Sequence, residues 1–172
     1  ELDLRNLMYT GYAAFDGPFV IRYPRGKGEM KDWRNEMQVL PIGKGKKLRD
    51  GDDIAVLSIG PIGNEVIKAI EMVKEERVSI AHYDMIYLKP LDEELLHEIG
   101  RKYNRIITVE NGVIKGGFGS AVLEFMADNG YTPHVKRIGV PDAFIEHGSI
   151  PELYQLCGMD AESIAKQLKK EN

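Results

Sequence analysis

The sequence predicts an α/β fold, a three-layer α/β/α sandwich with a mainly parallel sheet. From residue 53 onward, short apolar runs alternate with amphipathic stretches of about 10 to 15 residues, which is typical of strand–helix–strand crossover units. The run Ile54–Ile59 is apolar except for Ser58, the pattern of a strand buried on both faces. The 172 residues, 43% hydrophobic and 29% charged, suffice for one packed core and exclude a disordered or fibrous chain.

The first residues predict a smaller, separate piece of structure. A helix comes first, because apolar side chains recur there at helical spacing. Its predicted apolar face consists of Leu4, Leu7, Met8 and Tyr12. The apolar run Phe19–Tyr23 follows and stops at Pro24, which predicts a strand. Residues 31–52 show little periodicity, and we interpret them as a linker with an edge hairpin.

Strands and helices alternate in order through residues 53–172. The predicted strands cover residues 54–59, 78–83 with neighbouring Met85 and Ile86, 105–109 and 134–138. Helices are predicted on the apolar faces Ile62/Val66/Ile67/Ile70/Val73, Leu95/Leu96/Ile99, Ala121/Val122/Phe125/Met126 and Ile164/Ala165/Leu168. Asp92 is a predicted N-cap, Ser149 and Glu152 predict a capping box with Pro151 at the first helical position, and the last helix begins near Asp160.

Charge and composition exclude several classes of function. With 23 Lys and Arg against 27 Asp and Glu, the net charge is −4, unlike that of a nucleic-acid-binding protein. No apolar run approaches the roughly 20 residues of a membrane span, and Glu1–Arg5 is too charged for a signal peptide. The single cysteine cannot form an internal disulfide. We therefore expect a cytoplasmic protein without nucleic-acid or membrane partners, and the missing initial Met predicts a piece of something longer.

A glycine-rich turn, Glu110–Ser120, joins a predicted buried strand to a helix. Backbone N–H groups at such a helix N-terminus can hold a phosphate, which makes the turn a candidate nucleotide site of a flavodoxin-like domain. The turn matches neither the P-loop pattern nor G-x-G-x-x-G. The pattern favours the alternative, a close-packed turn or a subunit contact.

The titratable residues show no catalytic constellation. His82, His97, His134 and His147 lack metal-ligand spacing, so no metal site is predicted. Cys157 lies on a short apolar stretch, which favours a buried structural thiol over a nucleophile. The acids Asp84, Glu110 and Glu146 each border a strand end, where α/β proteins place catalytic groups, but spacing identifies no pair.

Two basic clusters differ in what they predict. Arg22 and Arg25 flank Tyr23-Pro24 and precede Gly26, which would hold a guanidinium fork for a phosphate or carboxylate at a strand end. The alternative there is a structural salt bridge. The second cluster, which acids follow at once, predicts a solvated turn. It consists of Lys44, Lys46, Lys47 and Arg49, followed by Asp50, Asp52 and Asp53.

Motifs along essentially the whole chain resemble, in order, the C-terminal third of the 1-deoxy-D-xylulose-5-phosphate synthase family. They are Leu4–Thr10, Gly17-Pro18, Ile21–Gly26, Leu40–Gly45, Leu88–Asp92, Thr108–Asn111, Gly116–Ser120 and Ile138–Ile145. The GGFGS turn also occurs in transketolases and pyruvate dehydrogenase β subunits. The RYPRG, LPIGKG and GVPDxFI segments together point to the synthase.

This resemblance implies a homodimeric transferase that uses thiamine diphosphate and Mg²⁺. Such enzymes condense pyruvate with D-glyceraldehyde 3-phosphate, release CO2 and form 1-deoxy-D-xylulose 5-phosphate, a precursor of isoprenoids, thiamine and pyridoxal. The family's diphosphate, metal and ring-activating glutamate determinants lie upstream of the matching region. We therefore expect no cofactor, metal or catalytic residue in this chain, and no activity from the chain alone.

The resemblance also divides the chain and assigns one substrate contact. Residues 1–30 resemble the tail of the pyrimidine-binding domain, residues 31–52 are the linker and edge hairpin, and residues 53–172 resemble the transketolase C-terminal domain, whose five-stranded sheet has an antiparallel first strand. Arg25 is the candidate for binding the phosphate of glyceraldehyde 3-phosphate, with Arg22 as the runner-up. Whether Glu146 and His147 reach the active site of the complete enzyme is left open.

A second class of function is a structural dimerisation module. It would belong to a related transketolase or 2-oxoacid dehydrogenase β subunit, and the turn Gly116–Ser120 would serve the subunit interface.

Overall fold

The structure, a computed structural model, describes residues 1–24, 26, 28, 32 and 34–169. The chain divides into two compact units, Glu1–Ile42 and Gly43–Asn172. No helix among the described residues is long and apolar enough to cross a bilayer.

The first unit contains the predicted helix, α1 (Leu2–Ala13), but a different face of it is buried. Asn6 and Thr10 are buried, whereas Met8 and Tyr12 of the predicted apolar face are exposed. Hydrogen bonds explain why this polar face is buried. The Leu40 N–H donates to Thr10 Oγ1 at 2.8 Å, and the Gln38 N–H donates to Asn6 Oδ1 at 3.1 Å. Two side chains of α1 thus satisfy backbone N–H groups of an irregular segment.

The strand predicted at Phe19–Tyr23 is wrong. These residues have no regular secondary structure, and Val20 is 93% exposed. A strand exists only through hydrogen bonds to a neighbouring strand, and no described segment provides them.

The second unit is a three-layer α/β/α sandwich, as predicted. Its strands are β1 (Lys46–Arg49), β2 (Ile54–Ile59), β3 (Ile80–Asp84), β4 (Arg105–Val113) and β5 (His134–Val140). Its helices are α2 (Gly63–Met72), α3 (Glu93–Lys102), α4 (Phe118–Asp128), α5 (Ile150–Leu156) and α6 (Ala161–Leu168). The sheet order is β1-β3-β2-β4-β5, with β1 antiparallel and the other strands parallel.

The central strand β2 shows why the sheet needs helices on both faces. Ile54 and Val56 pack into one core with α2 and α6, while Ala55 and Leu57 pack into the other with α3 and α4. Side chains alternate between the faces of a strand, so a run that is apolar at every position is buried on both sides.

The predicted edge hairpin is wrong, although the edge strand is present. β1 pairs with β3, with Lys46 opposite Asp84, rather than with the next strand β2. Both edges of β2 are already taken by β3 and β4. Of the basic cluster predicted as a solvated turn, Lys46, Lys47 and Arg49 lie in the strand β1, and all four residues of this strand are exposed, as expected for a solvated segment.

The structure confirms the predicted helix caps, with Pro151 shifted by one position. Asp92 Oδ1 accepts from the Leu95 N–H at 3.2 Å, and Asp160 Oδ1 accepts from the Ser163 N–H at 3.1 Å. The capping box joins Ser149 and Glu152, and Pro151 is the second residue of α5 rather than the first.

Candidate functional site

A ligand site is expected at the carboxyl ends of the parallel strands. β2, β3, β4 and β5 run parallel and end there, and open α/β sheets bind ligands beyond these ends. Three features lie at or near these strand ends: the glycine-rich turn after β4, a buried Ser58–His82 pair, and an apolar cavity beside α5.

The glycine-rich turn holds an anion that the chain itself supplies. Glu110, in β4, is 4% exposed. Its Oε2 accepts from the Phe118 N–H and its Oε1 from the Gly119 N–H, each at 2.9 Å. A carboxylate at the positive end of α4 makes the contacts that a bound phosphate would make. The nucleotide alternative is therefore disfavoured, because its anion position is filled.

Close packing explains the glycines of this turn. A Cβ on Gly117 would lie 2.3 Å from both the Val113 carbonyl oxygen and Glu110 Oε2. A Cβ on Gly119 would lie 2.5 Å from Thr108 Oγ1. Atoms of the domain itself exclude a side chain at these two positions. The occurrence of glycine there is thus explained within one chain and gives no information about a subunit contact.

Arg137 closes the same turn from β5. Its Nη1 donates to the Ile114 carbonyl at 2.8 Å and to Ser120 Oγ at 2.9 Å. Ser120 Oγ in turn donates to the Ile114 carbonyl at 2.9 Å. A charged group and a hydroxyl thus hold the loop between β4 and α4 in one conformation.

Ser58 and His82 form a buried pair that the sequence did not reveal. Ser58 Oγ lies 2.8 Å from His82 Nε2, and each residue is 1% exposed. Burial lowers the pKa of His82 to about 4, because an apolar surrounding disfavours the charged ring. The spacing resembles a nucleophile and its base, but no substrate can reach a pair so completely enclosed. The available signal was that both residues interrupt apolar strands that are neighbours in the sheet.

The remaining histidines and acids lie in separate local settings. His97 Nδ1 lies 3.0 Å from the Tyr131 hydroxyl, and His134 and His147 are exposed. Asp84 Oδ1 accepts from the Ile86 N–H at 3.2 Å, and Glu146 is exposed. The described part of the chain contains no group of three or more His, Cys, Asp or Glu residues that could hold a metal ion.

An apolar cavity of about 220 Å³ lies where β4 and β5 end, beside α5. Its walls are Asn111, Val140, Ile145, Ile150, Leu153, Tyr154, Cys157 and Met159. Within the wall, Asn111 Nδ2 donates to the Tyr154 hydroxyl at 3.2 Å. Cys157 was predicted to be buried. It is a free thiol of intermediate exposure on the cavity wall.

The arginines predicted to bind phosphate belong to the first unit. Arg22 is exposed, and Arg25 lies outside the described residues. The structure therefore does not test the phosphate site, which stays a prediction.

Comparison with known proteins reveals close relatives. The family model for the transketolase C-terminal domain matches residues 43–164. The chain is 99% identical, over all 172 residues, to a 1-deoxy-D-xylulose-5-phosphate synthase from Parabacteroides distasonis, and covers 27% of that relative. It is 60% identical over 172 residues to the protein of the same name from Bacteroides thetaiotaomicron, again covering 27%. The chain thus spans about a quarter of the curated relatives it matches.

Two solved structures share the fold. A split-gene transketolase described as an inactive β4 tetramer aligns with a TM-score of 0.68 and 31% identity, over 77% of this chain and 45% of its own. The transketolase from Leishmania mexicana aligns with a TM-score of 0.54 and 14% identity, over 73% of this chain and 17% of its own. The second likeness concerns the fold alone.

Proposed function

The chain belongs to the transketolase C-terminal domain family, and we propose that it is part of a transferase that makes 1-deoxy-D-xylulose 5-phosphate. The complete enzyme would condense pyruvate with D-glyceraldehyde 3-phosphate and release CO2. One observation carries the proposal: 99% identity over all 172 residues to a protein named for this synthase activity. Because the chain covers 27% of that relative, the reaction is assigned to the complete enzyme.

Thiamine diphosphate and Mg²⁺ are part of the proposal, with their binding determinants outside this chain. Thiamine diphosphate supplies the carbanion chemistry that such condensations need. The described residues do not fit the cofactor: the turn best shaped for a diphosphate is filled by Glu110, and these residues include no metal-binding group. We propose that no catalytic step takes place within this chain and that it is inactive by itself.

Arg25 remains our candidate for holding the phosphate of glyceraldehyde 3-phosphate, with Arg22 as the runner-up. A planar guanidinium can donate two parallel charge-assisted hydrogen bonds to a phosphate. The support is the segment Arg22–Gly26, in which Pro24 restricts the backbone between the two arginines. Residues 1–30 would then be the end of the pyrimidine-binding domain.

The unit Gly43–Asn172 would serve packing and self-association in a homodimer. Two of its polar side chains, the buried Glu110 and the half-buried Arg137, are engaged in holding the turn before α4. The solved relative of 31% identity is described as a tetramer, which supports pairing between copies of this domain. Cytoplasmic location is also proposed, supported by a composition with a single cysteine.

The test uses the protein encoded by the complete reading frame that contains this chain. With thiamine diphosphate and Mg²⁺, it should release CO2 from pyruvate in amounts that match formation of 1-deoxy-D-xylulose 5-phosphate, and only when glyceraldehyde 3-phosphate is present in the assay. Transfer of a two-carbon unit from a ketose phosphate, or acetyl transfer to a lipoyl acceptor, would overturn the proposal in favour of a transketolase or a 2-oxoacid dehydrogenase β subunit.

A further inference from the structure

Two buried polar side chains of α1 hold a distant part of the first unit. Thr10 Oγ1 accepts from the Leu40 N–H, and Asn6 Oδ1 accepts from the Gln38 N–H. Thr10 is 0% exposed and Asn6 4%, and Leu40 is itself buried. A buried N–H group that loses its acceptor is costly. These two hydrogen bonds, the α1 pair, therefore fix the returning chain on the helix.

The spacing of the α1 pair suits a helix that binds alternate N–H groups of an irregular segment. Asn6 and Thr10 are four residues apart, a rise of about 6 Å along a helix. Gln38 and Leu40 are two residues apart, and two residues of extended chain span about 6.6 Å. The Thr10 hydroxyl donates its own proton to the Asn6 carbonyl at 2.7 Å. Its oxygen is thus left to accept from the Leu40 N–H.

The outgoing chain is held at the neighbouring residue of the same helix. A Cβ on Gly11 would lie 2.8 Å from Phe19 Cδ1 and 3.3 Å from Phe19 Cβ, so the side chain of Phe19 packs directly on the helix backbone. Phe15 packs edge to face against the same ring, with 5.4 Å between the ring centroids. Phe19 and Leu40, far apart in sequence, are therefore anchored on adjacent residues of α1.

The stretch of chain between these two anchors carries both candidate phosphate-binding arginines. Arg22 follows Phe19 by three residues and Arg25 follows it by six. Fixing both ends of such a stretch removes conformations that it would otherwise lose when a ligand binds. Preorganisation of this kind strengthens binding without adding a contact to the ligand.

We propose that Asn6 and Thr10 are positioning residues for the phosphate of glyceraldehyde 3-phosphate. They hold the returning chain on α1, so that the arginine segment is presented to the phosphate in few conformations. Neither residue contacts the substrate in this role. The inference rests on the proposed function and on the arginine assignment within it. It differs from a merely structural role in one respect, because the loss in a variant should depend on the phosphate of the acceptor.

Kinetics of the complete enzyme with two acceptors test this role. Thr10→Val keeps the shape of the side chain and removes the acceptor oxygen, so kcat/KM for glyceraldehyde 3-phosphate should fall about tenfold. With D-glyceraldehyde, which lacks the phosphate, kcat/KM should be nearly unchanged, as should the KM for pyruvate. Thr10→Ser keeps the hydroxyl and should behave like the parent. Thr132→Val, the same substitution at an exposed threonine, is the matched control.

Tryptic cleavage after Arg22 gives a readout that does not depend on the reaction. Arg22 and Tyr23 are exposed, and cleavage requires local opening of the chain around them. In the complete enzyme the cleavage rate, followed by mass, should rise about threefold or more in Thr10→Val and stay at the parent's value in Thr10→Ser. Asn6→Leu should repeat the effect of Thr10→Val, and Asn6→Asp, which keeps an acceptor oxygen, should not.

Three outcomes would overturn the proposal. Equal losses with both acceptors, or failure of both Thr10→Val and Asn6→Leu to fold, would make these residues structural. Unchanged use of glyceraldehyde 3-phosphate in both variants, whatever the cleavage rate, would show that the α1 pair does not serve the phosphate. A complete enzyme that forms no 1-deoxy-D-xylulose 5-phosphate would refute the proposed function and this role with it, and the parent's assay distinguishes that case from the other two.

Discussion

Ser58 Oγ and His82 Nε2 lie 2.8 Å apart across two neighbouring parallel strands, β2 and β3, and both residues are buried. The pKa of His82 is lowered to about 4 by burial, against an ordinary value of about 6.5. The unfolded chain therefore binds a proton at a higher pH than the folded chain does. The contribution of neutral His82 to the free energy of unfolding is fully present above pH 6.5 and is lost as the pH falls toward 4.

We predict that protonation of His82 in the unfolded chain lowers the free energy of unfolding by about 3 kcal/mol as the pH falls from 6.5 to 4. The free energy of unfolding, measured by urea titration at several pH values, should fall less steeply with acid in His82→Gln than in the parent chain. His147→Gln removes an exposed histidine and should leave the curve of the parent unchanged. Equal slopes for His82→Gln and the parent would contradict the prediction.

Glu110→Gln should destabilise the second unit by about 2 to 4 kcal/mol. The carboxylate accepts two backbone hydrogen bonds at the positive end of α4, and an amide keeps one acceptor oxygen while turning an NH2 group toward a donor. Urea unfolding at neutral pH measures the effect. Glu124→Gln, an exposed position on α4, is the matched control, and a loss for Glu110→Gln no larger than the control's would refute the role.

Gly117→Ala should cost about 2 kcal/mol or more, because its Cβ would meet the Val113 carbonyl oxygen at 2.3 Å. Gly148→Ala is the control, since its nearest contact would be the end of the Leu153 side chain at 3.2 Å. Thermal melts of both variants compare the two positions. An unchanged melting temperature for Gly117→Ala would show that the turn can open. Substitution at Gly117 therefore reports on the fold and is unsuitable as a probe of dimerisation.

The isolated chain should neither turn over pyruvate nor bind thiamine diphosphate with sub-micromolar affinity. The anion position at α4 is filled by Glu110, so a diphosphate would have to displace a carboxylate held by two N–H groups. Calorimetric titration with thiamine diphosphate and Mg²⁺ measures this. Sub-micromolar binding would place the cofactor site in this chain and contradict the proposed division of labour.

Arg25→Met in the complete enzyme should weaken use of glyceraldehyde 3-phosphate by roughly ten- to a hundredfold, the value of a charge-assisted contact. Pyruvate carries no phosphate, so its addition to the cofactor should change little. Steady-state kinetics with each substrate varied in turn separates these effects, with Arg22→Met as the comparison variant. Equal losses for both substrates would identify a structural arginine, and no loss would move the role to Arg22 or out of this segment.

Local signals in the sequence predicted most of the second unit. Apolar runs located β2 and β4, and Asp92 located the start of α3, because burial on both faces and capping depend on residues close together in the chain. The failures involve distant partners. Phe19–Tyr23 has the composition of a strand but no strand beside it among the described residues. Asn6 and Thr10 are buried because of backbone groups about 30 residues away.

The candidate site was harder to predict for the same reason. The glycine-rich turn resembles an empty anion cradle, since nothing in the motif shows that Glu110, eight residues before Phe118, turns back to fill it. The proximity of Ser58 and His82 depends on the register between β2 and β3. No periodicity within a single strand contains that information.

The exposed, antiparallel strand β1 has a consequence for how the domain behaves when crowded. An open sheet edge is a template on which another chain can add a strand, and repeated addition leads to aggregates. At this edge three of the four residues, Lys46, Lys47 and Arg49, are cationic. A second β1 approaching in register would bring these charges together. Charge repulsion at β1 thus opposes the addition of further strands to the sheet. A domain whose other strands are buried and strongly apolar can therefore resist aggregation.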